Sequence, residues 1–218
     1  MNIRRILEIG GVVAGVILIA FGAGSLFLSI DARNTVSDEL AAEVIVGSDD
    51  MNPADIRTSA EAAGLTLEGE GAVALPTCDV AGEPITTGAE ARCFAQYMRI
   101  HALEATGGLT YSQMGRYLAA DDPGSAAGTN DISAAFTDES GAPVANTRRD
   151  TWVTETALAT ALNVSYMAEQ IALFGLVVGA ALLLSGIGFV ILAVVALGKS
   201  TAPAEAAEGS RTVAPAAG

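Results

Sequence analysis

Two long runs without a charged residue constrain this chain more than any other feature. Residues 9–30 carry no charged side chain over 22 positions, and residues 171–198 carry none over 28 positions. At about 1.5 Å of rise per residue, the two runs would span about 33 Å and about 42 Å as helices, against a bilayer core of about 30 Å. The runs therefore predict two transmembrane helices, the second tilted or projecting from the bilayer.

Arg4 and Arg5 precede the first run and raise an alternative, a cleaved signal peptide. The run is longer than the roughly 7–15 apolar residues of a signal peptide, and its small-residue segment at 22–25 lies inside the run rather than after it. We therefore expect an uncleaved membrane anchor.

Basic residues at the ends of the runs predict the orientation. Arg4 and Arg5 precede the first run and Lys199 follows the second. Basic residues beside membrane spans favour the cytoplasmic side. We expect a two-pass protein of the cell (plasma) membrane with a cytoplasmic N-terminus at 1–8, an extracytoplasmic helical domain at 31–170 and a cytoplasmic tail at 199–218. The Ala-, Pro- and Glu-rich composition of the tail predicts disorder.

The charge of the chain limits its partners. The sequence contains 25 acidic residues and 11 basic ones, a net charge of -14. Nucleic-acid affinity comes from clustered Lys and Arg, so this balance argues against nucleic-acid binding. Residues 31–170 hold 22 of the acidic residues and 7 of the basic ones, which gives that segment a net charge of 22 − 7 = 15 negative units.

The segment between the runs has mostly helical patterns. Apolar residues at 36, 40 and 44 predict that the first helix continues to about residue 45. Asn52 before Pro53 is typical of a helix start, and Thr87 with Glu90 forms a capping box that opens a helix over 88–105. Alternating residues within 64–86 permit a small hairpin.

Past residue 108 the pattern predicts one short and one long helix. Thr110 with Gln113 predicts a helix that presents residues 111, 114 and 118 to the core. Residues 120–149 are predicted to form a long loop, either functional or mobile. Asp150 is predicted to cap a continuous helix from about 151 to 198. The fold class expected is an all-α membrane protein with two transmembrane helices, the second continuous with a long outer helix, carrying a small helical extracytoplasmic domain with long loops.

Several segments of the chain resemble an uncharacterised family of actinobacterial two-pass membrane proteins with a small helical outer domain. The resemblance is carried by residues 38–43 (DELAAE), 87–92 (TGAEAR), 97–101 (YMRIH) and 104–112 (EATGGLTYS). It implies the order of anchor, outer helical domain and second membrane helix, and no established activity. Some members are labelled aromatic ring-opening dioxygenase. Iron sites of that kind use two His and a carboxylate, which a chain with one His does not provide.

Small residues recur at matching intervals in the two runs. The first set is Gly11, Gly15, Gly22 and Ser29, and the second is Gly175, Gly179, Gly186 and Ala193. Each set forms one stripe on a helix, and close packing along small residues associates helices in lipid. We predict an antiparallel hairpin, with Ser29 near Gly175 and Gly11 near Ala193. Two alternatives stay open: glycine is abundant in this chain, or one stripe mediates dimerisation.

The two cysteines of the chain predict a structural disulfide. Cys78 and Cys93 both lie in the segment expected outside the cell, where thiols usually pair, and no Cys-x-x-Cys motif indicates a redox or metal role. We expect a disulfide.

His101 shares an apolar helix face with residues 94, 97 and 98, which favours a partly buried, hydrogen-bonded histidine over a proton-active or ligand-binding one. The acidic pairs at 49–50 and 121–122, with Asp131, lack the spaced loop of a calcium site. We expect no catalytic residue, no cofactor and no metal.

These observations favour an interaction or scaffold protein of the cell envelope, with the lipid bilayer and a protein as partners. A sensor or accessory subunit that signals through a separate protein is the second hypothesis, and an envelope enzyme working through His101 is the third. The sequence leaves the oligomeric state open.

Overall fold

The computed structural model describes residues 3–197, which form two compact units. The smaller unit contains residues 3–28 and 175–197, and the larger unit contains residues 29–174. The predicted disordered tail at 199–218 lies outside the described residues.

The described part of the chain is helical and has no strand. Its helices are α1 (Ile3–Ala42), α2 (Pro53–Ala62), α3 (Gly88–Ala105) and α4 (Arg148–Ile191), followed by a π-helical segment Leu192–Leu197 and joined by 3-10 turns at Tyr111–Gln113 and Ile132–Ala134. Helices α1 and α4 are long and apolar enough to cross a membrane, and only 11% and 17% of their most apolar windows are buried. Such exposure is unlike that of the core helix of a soluble protein, so the prediction of two apolar helices of spanning length is confirmed.

In the smaller unit, α1 and α4 approach each other at glycines. A methyl group placed on Gly22 would lie 2.8 Å from the carbonyl oxygen of Gly179, and one placed on Gly15 would lie 2.7 Å from the carbonyl oxygen of Gly186. Contacts this close leave no room for a side chain.

Gly11 and Gly175 each have a contact on the opposite helix within the smaller unit. A methyl group on Gly11 would meet the Cβ of Ala193 at 3.0 Å, where the small-residue stripes place it. The side chain that reaches Gly175 in this unit is Ser25, whose hydroxyl donates a hydrogen bond to the Gly175 carbonyl oxygen at 2.9 Å. Ser29 is buried and belongs to the larger unit.

Helix α3 lies at the centre of the core of the larger unit. Its capping box forms as predicted: the Glu90 amide donates to the Thr87 hydroxyl, and the Glu90 carboxylate accepts from the Thr87 amide. Helix α2 begins where predicted, with the Asn52 side chain accepting from two amides of its first turn. The largest fully buried side chains of the core are Tyr97, Ile56, Ile85, Ile100, Met114 and Val80.

Two local predictions before α3 are wrong in detail. Helix α1 ends at Ala42 rather than near residue 45, and the chain reverses through Val44, whose φ is +53°. The predicted hairpin within 64–86 does not form. The Val73 amide donates to the Thr66 carbonyl oxygen at 2.8 Å across a turn in which Gly69 and Gly71 have positive φ, but residues 65–75 contain no strand.

The predicted helix after Thr110 is a single 3-10 turn. The Thr110 amide donates to the Gln113 side chain at 2.8 Å, so the cap exists without a helix behind it. Met114 is extended, and Tyr117 pairs through its backbone with Thr129. The tertiary pairing of this segment therefore overrides the local helix signal.

Most of the predicted long loop at 120–149 is confirmed, because residues 120–147 contain no α-helix, and backbone hydrogen bonds organise this segment. Leu118 donates to Val144 at 2.9 Å, Val144 donates to Phe136 at 2.9 Å, and Phe136 donates to Leu118 at 2.8 Å, which closes a ring of three segments. Helix α4 then begins at Arg148, whose amide donates to the Asn146 side chain at 3.3 Å. The prediction that Asp150 caps this helix is therefore wrong, and Asp150 lies in its first turn.

Candidate functional site

A disulfide fixes the segment before α3 to that helix. Cys78 and Cys93 are bonded, with their Cα atoms 6.1 Å apart and 15 residues of separation in the sequence. The fully buried Tyr97, one helical turn further along α3, donates its hydroxyl to the Cys78 carbonyl oxygen at 2.5 Å. The predicted bond is present, and it holds an irregular segment in one position.

A cleft of about 600 Å³ opens in the larger unit beside the central turns of α3. Its polar lining comes from Gln96 and Arg99 of α3, Glu155 and Asn163 of α4, and Gln113 of the 3-10 turn. Its apolar lining consists of Val73, Ala74, Ala95, Ile100, Leu103 and Ala159. The volume lies within the range of small-molecule sites.

The charges of the cleft are paired with each other. An Arg99 Nη atom lies 3.4 Å from Glu155 Oε2, and the Arg99 guanidinium lies 3.9 Å from the centre of the Trp152 ring. The Glu155 side chain is only 6% exposed, so removal of Arg99 would leave a buried carboxylate without its partner. With its cation and its anion neutralised, the cleft is suited to polar ligands with little net charge.

A second polar cluster joins α3 to the loop that precedes α2. His101 Nε2 lies 3.2 Å from Asp50 Oδ2, yet the direction of the contact is not that of a hydrogen bond. The contact between His101 and Asp50 is therefore an electrostatic one. Glu104, one turn beyond His101, has a buried Oε1 atom without a hydrogen-bond partner.

The two carboxyls of this cluster differ in acidity for different reasons. The Ser48 hydroxyl donates to Asp50 Oδ1 at 2.6 Å, and this bond lowers the pKa of Asp50, with His101 adding to the effect. Burial raises the pKa of Glu104. The charge of His101 opposes this increase, and the charge of Asp50 adds to it. The cluster therefore combines a carboxyl that resists ionisation, Glu104, with one that favours it, Asp50.

The other predicted acidic residues have local structural contacts. Asp131 caps the turn Ile132–Ala134 by accepting from the Ser133 amide and hydroxyl, which lowers the pKa of Asp131. Among residues 3–197, no group of three His, Cys, Asp or Glu side chains is placed to hold a metal ion.

Sequence reasoning placed His101 beside apolar neighbours and missed its charged one, Asp50, which is 51 positions away. It also missed the pairing of Arg99 with Glu155. The sequence does contain a sign of this pairing, since Glu155 is the only charged residue of α4 between Asp150 and Glu169. A lone carboxylate in an apolar helix needs a partner if it is buried.

Comparison of the chain with protein-family models, with curated proteins and with solved structures finds no match. The resemblance to the actinobacterial membrane family therefore stays a prediction.

Proposed function

We propose that this chain is a two-pass protein of the cell membrane, with both termini cytoplasmic, whose larger unit lies outside and binds a protein partner in a non-catalytic role. The observation that carries the proposal is the exposure of large apolar side chains across the larger unit. Ile132 is 63% exposed, Val153 is 53% exposed and Val164 is 52% exposed. Apolar surface of this kind marks interaction sites when several residues share a face.

Two further observations support the location. The apolar parts of α1 and α4 are exposed over most of their surface, as expected where lipid is the solvent. The bond between Cys78 and Cys93 lies in the larger unit, and disulfides persist in oxidising compartments outside the cytoplasm. The disulfide also agrees with the orientation that the basic residues Arg4, Arg5 and Lys199 favour.

Labelling of single cysteines tests the orientation. Both native cysteines are bonded to each other, so an added cysteine is the only free thiol. In intact cells, a membrane-impermeant maleimide should label Ala127→Cys, at an exposed position of the larger unit, and should label Glu205→Cys only after the cells are opened. Labelling of the residue 205 variant in intact cells would reverse the orientation.

A photo-crosslinking amino acid tests the partner. Placed at Ile132 or Val164 in cells, it should give a discrete protein adduct, whereas placement at Glu139, exposed in the same unit, should give none. A chain that yields no adduct from any apolar position would contradict the proposal.

The cleft favours a second candidate, a sensor or accessory subunit that binds a small ligand. Its volume and its mixed lining fit a small polar molecule, and the neutralised pair of Arg99 and Glu155 favours one with little net charge. A ligand that raises the thermal stability of the wild type and not that of Gln96→Leu would support this function. An output would then require a separate signalling protein.

A further inference from the structure

The exposed side of α4 within the larger unit carries a regular apolar pattern. The side chains recur at alternating spacings of four and three residues, and all seven are exposed: Val153, Ala157, Thr160, Val164, Met167, Ile171 and Phe174, called here the α4 stripe. This spacing averages 3.5 residues, the period of a coiled-coil seam.

The α4 stripe lies on the side of the helix away from the core. The buried positions of the same segment are Trp152, Glu155, Leu162 and Ala172. At about 100° per residue, the centre of the stripe is rotated by roughly 160° from the centre of these buried positions. Within residues 3–197, the packing of the larger unit therefore leaves the stripe without a partner.

The upper part of the stripe is not explained by contact with lipid. Ile171 and Phe174 belong to the uncharged run that predicts a membrane span, so their exposure is expected there. Val153 precedes Ile171 by 18 residues, about 27 Å along a helix, and Val164 precedes it by seven. These side chains lie above the predicted span and require a different neighbour.

The charge pattern identifies which neighbour fits. Between residues 151 and 168 the only charged side chain of α4 is Glu155, which is buried against Arg99. Segment 31–170 carries 15 net negative charges, so two copies repel each other over most of their surface. The stripe is an apolar face on which two acidic copies can meet without placing carboxylates together.

We propose that the α4 stripe is the surface through which two copies of this chain pair, as a parallel, in-register coiled coil in the membrane. The inference rests on the proposed membrane location, because two copies anchored by the same helix present the stripe at the same height. A symmetric, parallel arrangement follows from that anchoring. Val164 and Ile171 are β-branched and occupy one set of alternate seam positions, where such residues are typical of two-stranded parallel coiled coils.

The area of the stripe explains why pairing needs the membrane. From Val153 to Phe174 the helix is about 32 Å long, and a contact strip about 10 Å wide covers about 320 Å² per copy, or about 640 Å² in total. A stable interface in solution buries about 1,000 Å² or more. Confinement of both copies to one bilayer raises their effective concentration, so the smaller interface suffices.

The same spacing continues along the sequence of α4 with small residues. Val178, Ala181, Ser185 and Gly188 follow Phe174 in the register of four and three, and the last three are small and exposed in the smaller unit. A methyl group placed on Gly188 would meet no atom within 4 Å. Small residues allow close approach of helices in lipid, so the sequence of the smaller unit is compatible with pairing of two copies.

Oxidative crosslinking in native membranes tests the pairing. With copper phenanthroline, Ala157→Cys and Thr160→Cys should each form a disulfide-linked dimer of twice the chain mass. Leu158→Cys is the matched control, exposed on the same turn and off the stripe, and should remain monomeric. Equal dimer yields at 157, 158 and 160 would indicate random collision and overturn the inference, as would the absence of dimer at every stripe position.

A charge placed in the seam provides the second test. In the Thr160→Cys background, Val164→Glu should reduce the dimer yield by at least about tenfold, because two carboxylates would face each other in an apolar contact. Leu158→Glu should leave the yield unchanged. Both positions are exposed, so neither change disturbs the core, and an intact Cys78–Cys93 bond in each variant verifies the fold. If Val164→Glu leaves the yield of disulfide-linked dimer unchanged, the proposal that two copies pair along the α4 stripe is wrong.

The outcomes separate this inference from the proposed function. If photo-crosslinking from Val164 captures a protein of another mass and cysteines on the stripe give no dimer, the inference fails while the interaction function stands. If stripe cysteines form dimers and the residue 205 variant is labelled in intact cells, the proposed orientation fails while the pairing stands.

Discussion

The hydroxyl of Tyr97 donates a hydrogen bond to the carbonyl oxygen of Cys78 at 2.5 Å, from a side chain with no exposed surface. The donor lies on α3, and the acceptor belongs to the segment that the disulfide ties to the same helix. Burial raises the pKa of Tyr97, with the negative charge of Asp79 reinforcing the effect, so the phenol stays protonated and remains a donor. Two independent contacts therefore hold one irregular segment against the central helix.

Replacement of Tyr97 by Phe should lower the free energy of unfolding by about 1–2 kcal/mol, because the partly buried Cys78 would lose the donor to its carbonyl oxygen. Denaturant unfolding of the full chain in detergent micelles measures the effect. Tyr111→Phe is the matched control, since Tyr111 is 42% exposed, and it should change stability by less than about 0.5 kcal/mol. Equal effects of the two changes would contradict the role of this hydrogen bond.

Loss of the Cys78–Cys93 disulfide should lower the free energy of unfolding by more than loss of the Tyr97 hydrogen bond does. In the chain-entropy account, closing a loop of about this length stabilises the folded state by about 3 kcal/mol. The double variant Cys78→Ala, Cys93→Ala should lose roughly that amount in the same unfolding assay, and reduced wild type should behave alike. Free thiols detected by mass spectrometry in the non-reduced protein would refute the bond.

The parts of the larger unit that the sequence predicts well are those whose structure depends on residues close together in the chain. Thr87 and Glu90 satisfy each other's backbone within one turn, so the start of α3 follows from four residues. Thr110 and Gln113 carry the same signal, yet only a 3-10 turn forms, because the segment that follows pairs with Thr129. A capping pattern therefore predicts where a helix begins, whereas contacts with residues distant in the sequence decide how long the helix is.

The polar sites are less predictable, since their residues are far apart in the chain. Arg99 and Glu155 are separated by 56 positions, and only the fold brings them to 3.4 Å. The disulfide was predictable because only two cysteines exist and their expected location favours pairing. The glycine contacts between α1 and α4 within the smaller unit likewise follow the spacing of small residues. The contact of Ser29 with Gly175 stays a prediction, because these residues belong to different units.

The burial of Glu104 leads us to expect that the stability difference between wild type and Glu104→Gln depends on pH. The pKa of Glu104 is raised in the folded state, mainly by burial, above the ordinary value of 4.5, so the folded chain holds the proton more tightly than the unfolded chain. Ionised Glu104 therefore destabilises the fold above its raised pKa, and this penalty disappears as the pH falls below 4.5. Glu104→Gln should be more stable than wild type at pH 7 and equally stable at pH 4.

The control for this experiment is Glu139→Gln, at an exposed position of the same unit. It should change stability little at either pH. Unfolding of both variants is followed at several values between pH 4 and pH 8, and the difference from wild type is compared at each. A Glu104→Gln stability gain that is independent of pH would contradict the argument from burial.

The glycines of α1 provide a matched pair for testing the packing of the smaller unit. A methyl group on Gly22 would lie 2.6 Å from the Leu183 amide nitrogen and 2.8 Å from the Gly179 carbonyl oxygen, and these backbone atoms cannot move aside. Gly24, two residues later on the same helix, has no atom within 4 Å of the equivalent position. Gly22→Ala should therefore force the helices apart and destabilise the hairpin by about 1–3 kcal/mol.

Gly24→Ala should be neutral or should stabilise the helix by up to about 1 kcal/mol, since alanine restricts the backbone more than glycine does. Both variants are unfolded by raising the SDS fraction in mixed micelles, with helix content followed by circular dichroism. The two changes add the same methyl group to the same helix, so intrinsic propensity cancels in the comparison. If Gly22→Ala proves as stable as Gly24→Ala, α1 and α4 do not meet at this glycine in the membrane-like environment.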